Sequence, residues 1–192
     1  RVGEKFTYNE NNQHSIFNLN FAGSSVFAQI PCNGLIASWS FTTNSLDSSG
    51  NGHNGTTHNV TLTYDRFGNP LSAYMFHDST SYIQVPDAYA LRLSNTDFTI
   101  SSWVYQIAKD TFTIQGEGAA AILSKRIYGA TQQGYYSAIE NRHNPSGCGS
   151  GGIPEFQVSG GNDPIASAQS CISINSWTHL VMVYTLSTQT MS

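Results

Sequence analysis

The sequence predicts an all-β chain folded as a two-sheet antiparallel sandwich or jelly roll. Three observations carry this. From Leu35 onward the apolar residues come in short runs, and no long stretch sustains helical periodicity. The runs are separated by turn chemistry at Ser49-Gly50, Asn51-Gly52, Asn54-Gly55, Gly68-Asn69-Pro70, Ser146-Gly147 and Gly160-Gly161-Asn162, which supplies left-handed backbone or a fixed proline φ. Alternation inside the runs marks two faces: Phe98, Ile100, Ser102 and Val104 share one parity, and Thr99, Ser101, Trp103 and Tyr105 the other.

Taken in order, residues 1–31 read as a leader or linker. Ile16 to Gly23 is apolar but interrupted by Asn18 and Asn20, and Val26 and Ala28 fit the small-residue rule for signal-peptidase cleavage, so a signal-peptide-like segment is one reading. The domain proper is expected over residues 32–192. Its strand-like pieces are Leu35–Phe41, Ser81–Val85, Phe98–Val104, Gly134–Ile139, Glu155–Val158 and Trp177–Tyr184. The last carries apolar residues at both parities, including Leu180, Val181, Met182 and Val183, which predicts a central strand covered on both sides. Leu91-Arg92-Leu93 is expected to form one helical turn, and residues 106–121 and 147–152 read as loops.

A chain of 192 residues can close a single core. Charged residues are only 10% of it, against about 25% in an average protein, so neutral polar groups carry its solubility, as is common in extracellular β-proteins. A net charge of −4 with no basic run offers nothing to a phosphate backbone, which speaks against nucleic acid as partner. No apolar run is long enough for a transmembrane helix.

Cys32, Cys148 and Cys171 lack the close pairing of a zinc site. Cys148 and Cys171 flank the Glu155–Val158 strand, so a disulfide between them would tie neighbouring loops together, stabilising by about 3 kcal/mol on the loop-closure model. The alternative is three reduced thiols.

In sequence order, Leu35–Phe41, Asp47–Gly55, Arg66–Leu71, Ser81–Pro86, Phe98–Val104 and Trp177–Tyr184 resemble the laminin G-like jelly-roll domain of the concanavalin A-like lectin and glucanase superfamily. The resemblance implies a concanavalin A-like jelly roll, here incomplete at its C-terminus, in a module that holds sugars or neighbouring proteins. It also frames the search for chemistry. The superfamily's glucanases carry their acids as Glu-x-Asp-x-x-Glu on one strand, and that run is absent, although Glu140 and Glu155 could meet across neighbouring strands. No nucleophile elbow is present either. His179 follows Trp177 as a histidine commonly does in the resembled family, and is expected to be a hydrogen-bonded structural residue.

No cofactor is required, and calcium is the one candidate ion, because many members of the superfamily hold it near the rim. The loop 47–54 would offer Asp47 first and Asn51 second; an Asx-type turn capped by Asp47 explains the same residues. Sugar binding needs a ring to stack on a pyranose, with amides and hydroxyls around it. Tyr128, Tyr135, Tyr136, Asn141, Arg142 and His143 form the densest such cluster, although one of the adjacent pair Tyr135 and Tyr136 must face inward. Asn54-Gly55-Thr56 and Asn59-Val60-Thr61 are glycosylation acceptors in a eukaryotic secretory pathway. The expected function is a non-catalytic carbohydrate- or glycoprotein-binding module of a secreted or cell-surface protein. A structural or adhesion spacer packing against neighbouring domains of a larger chain is the alternative, and a glycoside hydrolase the second.

Overall fold

In a computed structural model of the chain, the described residues are 4–7, 15–18, 34–93, 96–107, 119–127, 133–140, 151–159, 165–188 and 190–191. The strands are β1 (Glu4–Thr7), β2 (Ser15–Asn18), β3 (Thr56–His58), β4 (Val60–Thr63), β5 (Ala73–Phe76), β6 (Tyr82–Val85) and β7 (Phe98–Gln106). They continue with β8 (Ala119–Ile127), β9 (Gln133–Glu140), β10 (Ile153–Ser159), β11 (Ile165–Ser167), β12 (Trp177–Thr185) and β13 (Thr190–Met191). A 3-10 turn at Tyr89–Leu91 overlaps the expected helical turn at its last residue.

All the paired strands are antiparallel, as expected of a sandwich. One layer is the six-stranded sheet β13-β12-β7-β2-β5-β4. The other is made of β11-β10-β9-β8 and β1-β6-β3, which meet where β1 runs alongside β8. The core between them takes Tyr74, Val104 and Leu180 from the first layer and Val85, Ile122 and Ile139 from the second. A second cluster packs Phe98 and Tyr184 against Tyr135 and Phe156.

Two strands lie where a leader was expected. β2 is inserted between β7 and β5, with Phe17 opposite both Val104 and Tyr74, and β1 pairs along the whole of β6. At these eight positions the backbone pairs within both sheets. Val26 and Ala28 lie outside the described residues.

Two expectations are corrected. Leu35–Phe41 forms no ladder, because the loop 47–51 bonds to its backbone: Asn51 Nδ2 donates to the carbonyls of Leu35 and Ile36 at 2.9 Å each, the Asp47 carboxylate accepts from the Ser38 amide at 2.9 Å, and the Ser48 amide donates to the Ser38 carbonyl at 2.7 Å. The extended piece still buries Trp39 and Phe41. β12 is covered on one side only, with Leu180, Met182 and Tyr184 buried while His179 and Val181 are exposed. Between β3 and β4, Asn59 sits at φ 48° and its Nδ2 donates to both Asp78 oxygens at 3.1 Å and to Thr80 Oγ1 at 2.8 Å.

A truncation that begins at residue 32 removes a strand from the middle of the six-stranded sheet and unpairs β6 on one side. Its urea unfolding is expected to lose the cooperative transition of the whole chain, since the loss approaches the roughly 5–15 kcal/mol that holds a domain together. A truncation with an unchanged midpoint would return residues 1–31 to the status of a leader.

Candidate functional site

The register of β8, β9 and β10 decides which residues of the predicted sugar cluster can face a ligand. Directly paired residues point the same way. Tyr135 pairs with Val158 and Lys125, and Tyr136 with Gln157 and Ser124. Tyr135 is 4% exposed, its hydroxyl donates to the Leu91 carbonyl at 2.9 Å, and burial pushes its pKa up. It is a core residue, and its place in the ligand cluster is corrected. Tyr136 takes the other face, half-buried, with the Arg126 guanidinium 4.7 Å from its ring centroid. Arg126 Nη1 also donates to Gln157 Oε1 at 2.6 Å.

Local devices build this face. The β8 register shifts between Ala121 and Leu123, so Ile122 and Leu123 both turn to core clusters and the alternation restarts with Ser124 and Arg126 outward. Gly134, at φ 122° opposite Arg126, leaves room that a Cβ would fill 1.8 Å from the Lys125 carbonyl oxygen. Lys125, on the inward parity, reaches Asp87 at 2.8 Å, and burial lowers its pKa to about 8.

Tyr128, Asn141, Arg142 and His143 lie outside the described residues. The described strand ends to which they attach, Ile127 and Glu140, stand at opposite ends of the β8–β9 ladder, roughly 23 Å apart at about 3.3 Å per residue. Closeness in sequence is therefore not convergence at a single point.

The opposite layer carries an aromatic face that the sequence reading did not assign to a ligand. On the outward parity of β7 and β12, Trp103 stacks on His179 with centroids 4.7 Å apart and planes 13° apart, and Tyr105 meets Trp177 edge-on at 5.5 Å. The Ser101 hydroxyl and His179 Nε2 are 2.8 Å apart. The turn between β4 and β5 adds Arg66 and Phe67. Asp65 shapes it from within, 4% exposed, accepting from the Phe67 and Asn69 amides at 2.9 and 2.8 Å and from Asn69 Nδ2 at 2.9 Å. The result holds the Arg66 guanidinium 4.2 Å from the Phe67 centroid and 4.6 Å from that of Trp103. The signal was present in the sequence: Trp103 and Tyr105 alternate with core residues, as Trp177 and His179 do. Reading Trp177–Tyr184 as covered on both sides hid it.

A family profile for the concanavalin A-like lectin/glucanases superfamily matches residues 77–192, more than half of the chain, and the two-sheet architecture agrees with it. The chain belongs to this superfamily. Comparison with curated proteins and with solved structures returns no match. The superfamily includes both lectins and glucanases, so the acids bear directly on which of the two the chain resembles. Glu140 pairs with Ile153 and Glu155 with Ala138, which puts the two carboxylates diagonally on one face. Glu140 is only 4% exposed, however, which is not the open cleft a glycoside hydrolase needs.

The loop 47–54, where calcium was expected, is tied together by its own donors. Asp47 Oδ1 accepts from the Ser38 and Ser49 amides and Oδ2 from the Ser49 hydroxyl and the His53 amide, all at 2.8–2.9 Å. Those four donors use the carboxylate's lone pairs, and Asn51 Nδ2 holds the Leu35 and Ile36 carbonyls, the bonding of an Asx-type turn. Among the described residues no group of three or more His, Cys, Asp or Glu could hold a metal, and no helix is long and apolar enough to cross a membrane. Cys171 is disulfide-bonded, and the other two cysteines lie outside the described residues.

Two titrations follow. Burial works to raise the Asp47 pKa, but the Ser38, Ser49 and His53 donors outweigh it and hold it below the usual carboxylate value. Its contribution is thus present above pH of about 4 and lost as pH falls through the folded value. Asp47→Ala is expected to cost about 2 kcal/mol at pH 7 and much less at pH 3, read from urea midpoints. His179 acts in the same sense at higher pH: burial first and the Arg66 charge second depress its pKa. The unfolded chain then binds that proton more readily, so stability falls as pH drops below about 6.5. Arg66→Met should raise the His179 pKa in an NMR titration and shrink the acid-side loss.

Proposed function

We propose that this chain is a non-catalytic carbohydrate- or glycoprotein-binding module of a secreted or cell-surface protein, with the outward face of β8, β9 and β10 as its binding surface. The observation that supports it is the grouping of Tyr136, Arg126 and Gln157 on one face, where Tyr136 and Arg126 are part-exposed and Gln157 is buried beside them. An aromatic ring provides the flat apolar contact, and guanidinium and amide groups provide donors and acceptors for sugar hydroxyls. The low charge content and a disulfide at Cys171 suit an oxidising, extracellular setting. Membership of a superfamily that contains lectins is consistent with this reading. In it Cys148 is the partner of Cys171.

The packing-module reading draws on a different observation, the exposure of Tyr64, Leu71 and Tyr89 at 63%, 50% and 88%. It expects those residues to become protected when neighbouring domains of the parent chain are present, as hydroxyl-radical footprinting would record.

A glycan array probed with and without calcium tests the leading reading, and binding is expected to persist in chelator. Tyr136→Ala should weaken the best ligand about tenfold, the loss of one ring contact. An array without a single hit in either condition would remove the proposal. Peptide mapping without reductant is expected to recover Cys148 joined to Cys171; a Cys32–Cys171 peptide would refute the pairing.

A further inference from the structure

We propose that Arg66, laid over Phe67 and Trp103 on the outward side of the six-stranded sheet, binds the carboxylate of an acidic sugar whose ring rests on the adjoining aromatic surface. The proposal takes its ligand class from the carbohydrate reading but uses the opposite layer, so the two can fail separately.

The argument starts from how the cations of this chain are satisfied. Among the described residues Arg92 and Lys125 are both bound to Asp87, and Arg126 donates to Gln157. Arg66 makes no hydrogen bond and no ion pair, and its Nη1 is a buried donor without a partner. Asp65 answers it through charge alone, because its oxygens are spent on the Phe67 and Asn69 donors. Trp103 Nε1, in the same stack, is a second buried donor without a partner. Buried donors are rarely left unmatched; Arg126 Nε, Ser102 Oγ and Ser137 Oγ share the condition, but the Arg66 and Trp103 donors are the pair that meets in one stack on a part-exposed face.

The surroundings define what would fit. A guanidinium held against two rings presents a planar fork of donors, which suits a planar carboxylate. Phe67 is 54% exposed and Val181 49%, and Trp103, Tyr105 and Trp177 are part-exposed along the same face, so the anion's carrier must offer an apolar surface. His179 and Ser101 supply polar edges beside the stack. A uronate ring combines one carboxylate, an apolar face and hydroxyls. A phosphate or free acetate has no face to lay on the rings.

The test uses trigalacturonic acid and its methyl ester, which keeps the rings and removes the charge. In amide and indole NMR spectra of the whole chain, the acid is expected to shift the Trp103 and Trp177 indole signals. Trp39 serves as the internal control, because its indole donates to the His53 carbonyl. Arg66→Met should lower affinity for the acid by roughly tenfold to a hundredfold, the loss of a charge-assisted contact, with a spectrum that shows the fold intact. Phe67→Ala should weaken it less, and Tyr136→Ala not at all. Failure of the acid to bind, equal binding of the methyl ester, or wild-type affinity in Arg66→Met would each overturn the proposal. So would a glutamate-rich peptide that binds this face more tightly than the sugar acid. Glycan binding lost only in Tyr136→Ala would overturn this site and leave the β8–β10 face standing.

Discussion

The two layers are joined through Phe98, and the rest of the arrangement depends on that contact. Its ring lies 5.2 Å from Tyr135 and 5.8 Å from Phe156 on the opposite layer, and 5.5 Å from Tyr184 on its own. Such offset and edge-on pairs are worth about 0.5–1.5 kcal/mol each beyond the area they bury. Because a strand repeats every two residues, fixing Phe98 inward fixes Thr99, Ser101, Trp103 and Tyr105 outward. The same step across the core sends Tyr136 to the surface by drawing Tyr135 into it.

Both candidate faces are therefore by-products of the packing, and each was then supplied with a cation. On one layer Arg126 lies over Tyr136 and is tied to Gln157. On the other Arg66 lies over Phe67 and Trp103 with its hydrogen bonds unspent. With so few charges in the chain, the way each is used is informative. Asp47 and Asp65 are consumed as internal scaffolding for loops.

Much of the fold was legible because alternation and turn residues are local. β6, β7, β9, β10 and β12 were all anticipated to within a few residues at each end. β1 and β2 were not, since short pieces rich in Asn and Glu gain strand character only from partners far along the chain. Leu35–Phe41 failed in the other direction: it has strand composition, but the loop 47–51 bonds to its backbone first. The ligand cluster was half legible. Sequence showed that Tyr135 and Tyr136 must part company but could not say which turned inward. A bulge at Ile122, invisible to periodicity, also sets the outward parity of β8 beside them.

Asn59 carries a consequence for biosynthesis. Its side-chain nitrogen has only two hydrogens, and Asp78 and Thr80 already receive them in the finished molecule. In a eukaryotic secretory pathway, an oligosaccharyltransferase acting on the folded corner would meet an exposed side chain whose donors are already engaged, and acting earlier it would meet them unbonded. Occupancy at Asn59 would then record how quickly this corner folds after emerging from the ribosome.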